Sequence, residues 1–115
     1  MRVTSDLWVS ALTRRAFASG GYAAVVRRGA TEAGAIMILV RDRMGETTLY
    51  GPAPQTSYDE GRPEERLFTE VARTFDPDEI DKRLEREMRF DPDIWVIELE
   101  VDDTTFKELV SVRTL

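Results

Sequence analysis

The sequence predicts one α+β domain over residues 1–115, with a mostly antiparallel sheet of about five strands and two main helices packed on one face. The expected element order is α-β-β-β-β-α-β. Three observations carry this expectation. Apolar residues recur at helical spacing in two separate stretches, and strand-like apolar runs lie between and after them. A chain of 115 residues has the length of one domain. Its 42% hydrophobic and 33% charged residues describe an ordinary globular protein.

The first helix opens at Thr4 or Ser5, either of which can cap it, with Asp6 placed to meet the positive end of the helix dipole. Trp8, Leu12 and Ala16, with Val9 beside them, form one apolar stripe. Arg14 and Arg15 suit the last turns, and Gly20-Gly21 supplies the left-handed stop. "YAAVVRR" and "AIMILVR" follow as strands joined by the turn "GATEAG". Residues 35–40 are apolar throughout, as expected of a central strand or one covered on both faces. After the turn "RDRMGE", "TTLYG" reads as a third strand, so residues 22–51 predict an antiparallel meander. Residues 52–65, with three prolines and one glycine, form one long loop. "RLFTEVAR" fits either a helix or a strand by its spacing, and its β-branched content favours a strand.

The tetrapeptide "FDPD" occurs twice, at Phe75–Asp78 and at Phe90–Asp93. In the first copy, Asp76 serves as N-cap and Pro77 stands at the first helical position, where its missing N–H costs nothing. Asp78 and Glu79 complement the dipole, and Glu79, three residues after Asp76, comes close to a capping box. Ile80, Leu84 and Met88 give the buried stripe, with Glu79–Arg83 and Glu85–Arg89 as four-residue ion pairs. In the second copy, Pro92 disfavours helical geometry at Asp91 and turns the chain into the strand "IWVIELEV". There Trp95, Ile97 and Leu99 point one way and Val96, Glu98 and Glu100 the other. A short helix over Thr105–Val110 ends the chain. The two copies stand about 20 Å apart, at opposite ends of one helix, so their carboxylates cannot share an ion. They read as structural punctuation, and no metal site is expected.

The composition narrows the chemistry. Without histidine or cysteine there is no Ser-His-Asp or Cys-His nucleophile, no imidazole shuttle and no thiolate or imidazole metal site. No cofactor is implied. Catalysis would have to rest on Asp, Glu, Lys, Arg, Tyr, Ser or Thr, or on a magnesium-type ion held by carboxylates. The net charge of −6 divides into +3 over residues 1–50 and −9 over residues 51–115. An acidic chain is a poor general binder of nucleic acid, whose non-specific affinity comes from phosphate neutralisation. No apolar run reaches the ~18 residues of a membrane span, and "MRVTSDLW" lacks the apolar core of a secretory leader, so a cytoplasmic location is expected.

The segments "SDLWVSALTRR", "RRGATEAGAIMILV", "LYGPAPQTSYDEGRP" and above all "RFDPDIWVIELE" resemble a family of small alphaproteobacterial proteins catalogued as domain of unknown function 1491. The resemblance runs from about Met1 to Val101 and is weaker over the tail 102–115. It implies a strand for "RLFTEVAR" and a bacterial cytoplasmic setting. No reaction, cofactor or catalytic residue comes with it.

Two sets of residues are candidates for contact with a ligand or partner. Arg27 and Arg28, with Arg14 and Arg15, would make an anion-binding patch if the first helix packs beside the strand after it. The structural explanation competes: Arg14 and Arg15 suit a helix C-terminus, and Arg27 and Arg28, as strand neighbours, point to opposite faces. The loop 51–62, with Tyr50 beside it and Gln55, Tyr58, Asp59 and Arg62 within it, is suited to polar recognition. Trp8 and Trp95 fall on apolar stripes and read as core rather than stacking platforms. The expected function is a non-enzymatic binding or protein-interaction module using the 51–62 loop. The alternative is an enzyme or binder of a small anionic ligand, acting through arginines and carboxylates. An unpaired sheet edge also invites a second copy, giving a homodimer.

Overall fold

The strand Ile36–Arg41 is buried on both faces, and the architecture follows from that. In the computed structural model, which describes residues 3–54 and 66–114, Ile36 and Ile38 face one layer of core while Met37 and Leu39 face another. Among the described residues the elements are α1 (Ser5–Ala18), β1 (Tyr22–Arg27), β2 (Ile36–Arg41), β3 (Thr47–Pro52), β4 (Leu67–Thr74), α2 (Pro77–Phe90), β5 (Trp95–Glu100), α3 (Asp103–Leu109) and β6 (Ser111–Val112). The α+β class and the strand over "RLFTEVAR" are as expected.

The sheet differs from expectation in three respects. Among the described residues it has six strands, in the order β1-β5-β2-β3-β4-β6. The antiparallel meander is confined to β2, β3 and β4, because β5 inserts between β1 and β2. β5 runs antiparallel to β1 but parallel to β2, and β6 runs parallel to β4, so the sheet is mixed.

The helices also divide between the two faces instead of sharing one. Val9, Leu12 and Ala16 of α1 and Phe106 of α3 pack with Ile36, Ile38, Tyr50, Phe68, Trp95, Ile97 and Leu99. Ile80 of α2, with Leu84 and Met88, packs on Met37, Leu39, Leu49 and Val96 from the other side. The continuous apolar run of β2 demands cover on both faces, and one layer of helices cannot give it. Trp95 and Phe68 are fully buried. Each such side chain stabilises by about 1.5–3 kcal/mol relative to exposure. Trp8 is half-buried and meets Phe68 at a ring separation of 5.4 Å.

Both "FDPD" copies do local structural work. Asp76 caps α2 by accepting from the Asp78 N–H at 2.9 Å, with Pro77 at the first helical position. The capping box does not form as expected, because the Asp76 N–H donates to Thr74 Oγ1 at 3.0 Å, within the chain's own turn. The ion pair on α2 is Arg83–Glu87 at 3.0 Å. Asp91 closes the helix and its carboxylate accepts from the Asp93 N–H. The carbonyl oxygens of Pro92 and Asp93 then accept from Arg27 Nη2 and from the Ala30 N–H. Gly29 approaches so closely here that a Cβ would overlap the Asp93 carbonyl oxygen. At the other end of β1, Gly20 takes the left-handed turn expected of it, with φ of 87°.

Candidate interaction site

Among the described residues, those singled out in the sequence do not converge. Arg27 ends β1 and donates to the Pro92 carbonyl at 2.6 Å, and its Nε is buried with no acceptor. Arg28 pairs with Asp6 at 3.1 Å and lies over the Trp95 ring, 5.0 Å from its centroid. Arg15 reaches the Glu108 carbonyl of α3, at the opposite end of α1 from Asp6. The four arginines therefore form no common patch. Arg15, Arg27 and Arg28 each make a contact that anchors one element to another.

Tyr50 is a core residue. Its ring is 9% exposed and stacks at 4.9 Å on Phe106, and burial pushes its hydroxyl above the ordinary range, with nearby Arg73 opposing. Position 50 lies within β3, on the face that α1 and α3 cover, so the ring is not offered to a partner beside the loop. Gln55, Tyr58, Asp59 and Arg62 lie outside the described residues. The chain on either side of that loop is closed by the Ala53 N–H donating to the Leu67 carbonyl.

A cleft of about 560 Å³ opens where β2 and β5 end side by side, lined by Arg41, Asp42, Arg43, Glu100, Asp102 and Asp103 among others. Ligands often bind beyond the carboxyl ends of parallel strands. Here most of the charged groups are engaged within the fold. Arg41 pairs with Glu98 at 3.0 Å, Asp42 accepts from two N–H groups of the β2–β3 turn, and Asp103 pairs with Lys107. Asp102 caps α3 by accepting from the Thr105 N–H at 2.7 Å. That bond, helped by Arg43, holds its carboxyl below the usual range. Four carboxylates against two arginines do not suit an anion. Among the described residues no group of three or more Asp or Glu is placed to hold a metal ion.

The β1 edge has a different character. Among the described residues β1 pairs only with β5, so one row of its N–H and C=O groups faces no other described strand. From Tyr22 to Val26 it carries no charge, and Tyr22, Val25 and Val26 are exposed. Phe17, also exposed, meets Tyr22 edge-on at 5.9 Å and extends this apolar strip around the end of α1. The strip ends in Arg27 and Arg28 on one side. On the other it ends beside exposed Glu100, the β5 partner of Tyr22.

A model of a family described as "Protein of unknown function (DUF1491)" matches residues 3–107. The chain belongs to the DUF1491 family. Among solved structures, it is similar to that of protein Atu0922 from A. tumefaciens, a structural-genomics target. Identity is 44% and the TM-score 0.84, covering 100% of this chain and 98% of that one. A crystal structure of a DUF1491 family protein from Caulobacter crescentus CB15 matches at 34% identity and a TM-score of 0.77, over 96% of this chain and 99% of that one. An NMR structure of a DUF1491 protein from the same organism matches at 34% identity and a TM-score of 0.76, over 98% of both. No curated protein matches the chain.

For this DUF1491 chain, sequence reasoning missed Phe17, Tyr22, Val25 and Val26. The signal was present in "YAAVV", an uncharged strand without Lys or Pro. Only the sheet order shows that this strand is an edge. No helix among the described residues is long and apolar enough to cross a membrane.

Proposed function

We propose that this DUF1491 protein is a non-enzymatic interaction module that receives another polypeptide strand along β1. The observation that carries the proposal is an edge strand of six residues, bare of charge from Tyr22 to Val26 and flanked by exposed Phe17. Strand addition of this kind draws affinity from main-chain hydrogen bonds and selectivity from the flanking side chains. The absence of histidine and cysteine, and the internal engagement of the cleft's side chains, support a role without catalysis. A cytoplasmic setting accompanies this reading and suits a chain without cysteine. The 51–62 loop is not required, since β3, which leads into it, lies three strands from β1. The alternative of a small anionic ligand has less support, because Arg27 and Arg28 are engaged and the cleft is predominantly acidic.

A photo-crosslinking residue placed at Val26 tests the proposal in an alphaproteobacterial cell. Polypeptide adducts are expected from that position and not from Met44, which is 82% exposed but sits in a turn. Equal adduct yields from both positions, or none from Val26, would remove the assignment.

A further inference from the structure

We infer that the open half of the sheet face that carries α2 is a docking surface for one basic, amphipathic helix of another polypeptide. This goes beyond the strand reading, because it concerns the face of β1 and β5 and not the open edge. The two faces of the sheet are covered unequally. Ala23, Trp95, Ile97 and Leu99 point to the α1 side, while Val96 points to the α2 side. By alternation and register, Glu98 and Glu100 of β5, with Ala24 and Tyr22 opposite them on β1, share the α2 side. The bulge sets Val26 and Arg27 together against Val96, on that same side. Yet α2 packs on Met37, Leu39, Leu49 and Val96, and leaves Tyr22 45% and Val26 57% exposed.

The gap has the dimensions of a helix. Two strands side by side span about 10 Å, the diameter of one helix. Six residues of strand run about 20 Å, the length of a helix of about thirteen residues. The floor is apolar along β1, through Tyr22, Ala24 and Val26, and carries carboxylates along β5, at Glu98 and Glu100. One wall is α2. Arg83, which donates to the Val71 carbonyl, turns one flank of that helix to β4. Asp81 and Glu85 stand about 160° around the helix from Arg83, so their flank faces the open floor.

Charge selects the occupant. Asp81, Glu85 and Glu100 are exposed and pair with no basic side chain among the described residues. Arg41 offsets Glu98 at 3.0 Å, and Arg27 holds the Pro92 carbonyl at the opposite end of the floor. Lys82, Arg86 and Arg89 fall on the solvent side of α2 by the same helical count. The surface is thus apolar on one side and net acidic on the other. A helix lying on it needs apolar residues at i, i+3, i+4 and i+7 over β1, and Lys or Arg over β5 and beside α2. A neutral or acidic helix would desolvate three carboxylates without giving them partners. A second copy of this chain would bring a net charge of −6 against them. A strand added at β1 extends the sheet sideways and leaves this face open.

Titration of the full chain with a synthetic peptide of about fourteen residues, leucine along one helical face and lysine elsewhere, tests the inference by calorimetry and amide NMR shifts. Binding is expected with a Kd on the order of 100 µM or tighter, and with shifts centred on residues 22–26, 81–85 and 98–100. Asp81→Lys combined with Glu100→Lys should weaken it at least about tenfold, with the circular dichroism spectrum unchanged. Glu108→Lys, on the exposed surface of α3, should change it by less than about twofold. A peptide of the same composition with its leucines scattered around the helix should bind at least about tenfold more weakly. Equal binding of the two peptides, an equal loss from Glu108→Lys, or no binding at about 1 mM peptide overturns the inference. Self-association of the free chain that Glu100→Lys abolishes would make a second copy the occupant and also overturn it. Protection of the β1 amides from hydrogen exchange by the leucine–lysine peptide would show it entering as a strand, which removes the helix and keeps β1 as a receiving edge. Shifts over the face with those amides unprotected uphold the helix even where Val26 gives no crosslink.

Discussion

The two edges of the sheet solve the same problem in opposite ways. β4 has eight residues, yet little of it is open to pairing: β6 covers its start, and the Arg73–Glu70 and Arg73–Glu46 pairs place charge along the rest. β1 has six residues and neither device. Its bulge between Val25 and Arg27 bends the strand only at the end. Edges of water-exposed sheets are usually blunted by charge, brevity or cover. A chain that blunts one edge and leaves the other plain has the means to close both, which makes the plain edge informative.

The largest expected effect comes from breaking the closed edge at its root. Phe68 lies at the start of β4, opposite Val112 of β6 and stacked on Trp8. Phe68→Ala should cost about 3–5 kcal/mol in urea denaturation, by transfer and cavity together. A cost under about 1 kcal/mol would show that the β6 cover is not seated on this ring. Next comes the point where β4 leads into α2. Asp76→Ala removes the helix cap and should cost about 1 kcal/mol by the same assay. The smallest change sharpens the comparison most. Arg73→Gln deletes two ion pairs in which Arg73 is 47% exposed, so the loss should stay within about 1 kcal/mol. It should nevertheless produce new self-association through β4, read by sedimentation. An Arg73→Gln protein with the wild-type association profile would mean that cover, not charge, closes that edge.

Much of this was legible in the sequence because local rules decide it. The caps at Thr4 and Asp76, the stop at Gly20 and the alternation of Trp95, Ile97 and Leu99 all depend on neighbours within a few residues. The run at residues 35–40 fits a central strand as well as one covered on both faces, so it does not by itself place α2 opposite α1. What was not legible is long-range. Nothing near Tyr22 or Ile36 says that Trp95–Glu100 will lie between their strands, and with that insertion hidden, β1 could not be recognised as an edge. Tyr50 misled for a related reason. A tyrosine beside a polar loop suggests recognition, while its burial depends on Phe106, more than fifty residues away in the chain.

The position of β5 has a consequence for synthesis of the chain. β1 and β2 are not paired with each other, and β1 waits for a strand that begins only at Trp95. At roughly 5–20 residues per second, a ribosome takes several seconds to go from Arg27 to Trp95. Throughout that interval "YAAVVR" emerges with both of its edges unpaired. The nascent chain therefore exposes this strand, uncharged from Tyr22 to Val26, before either of its edges can be paired.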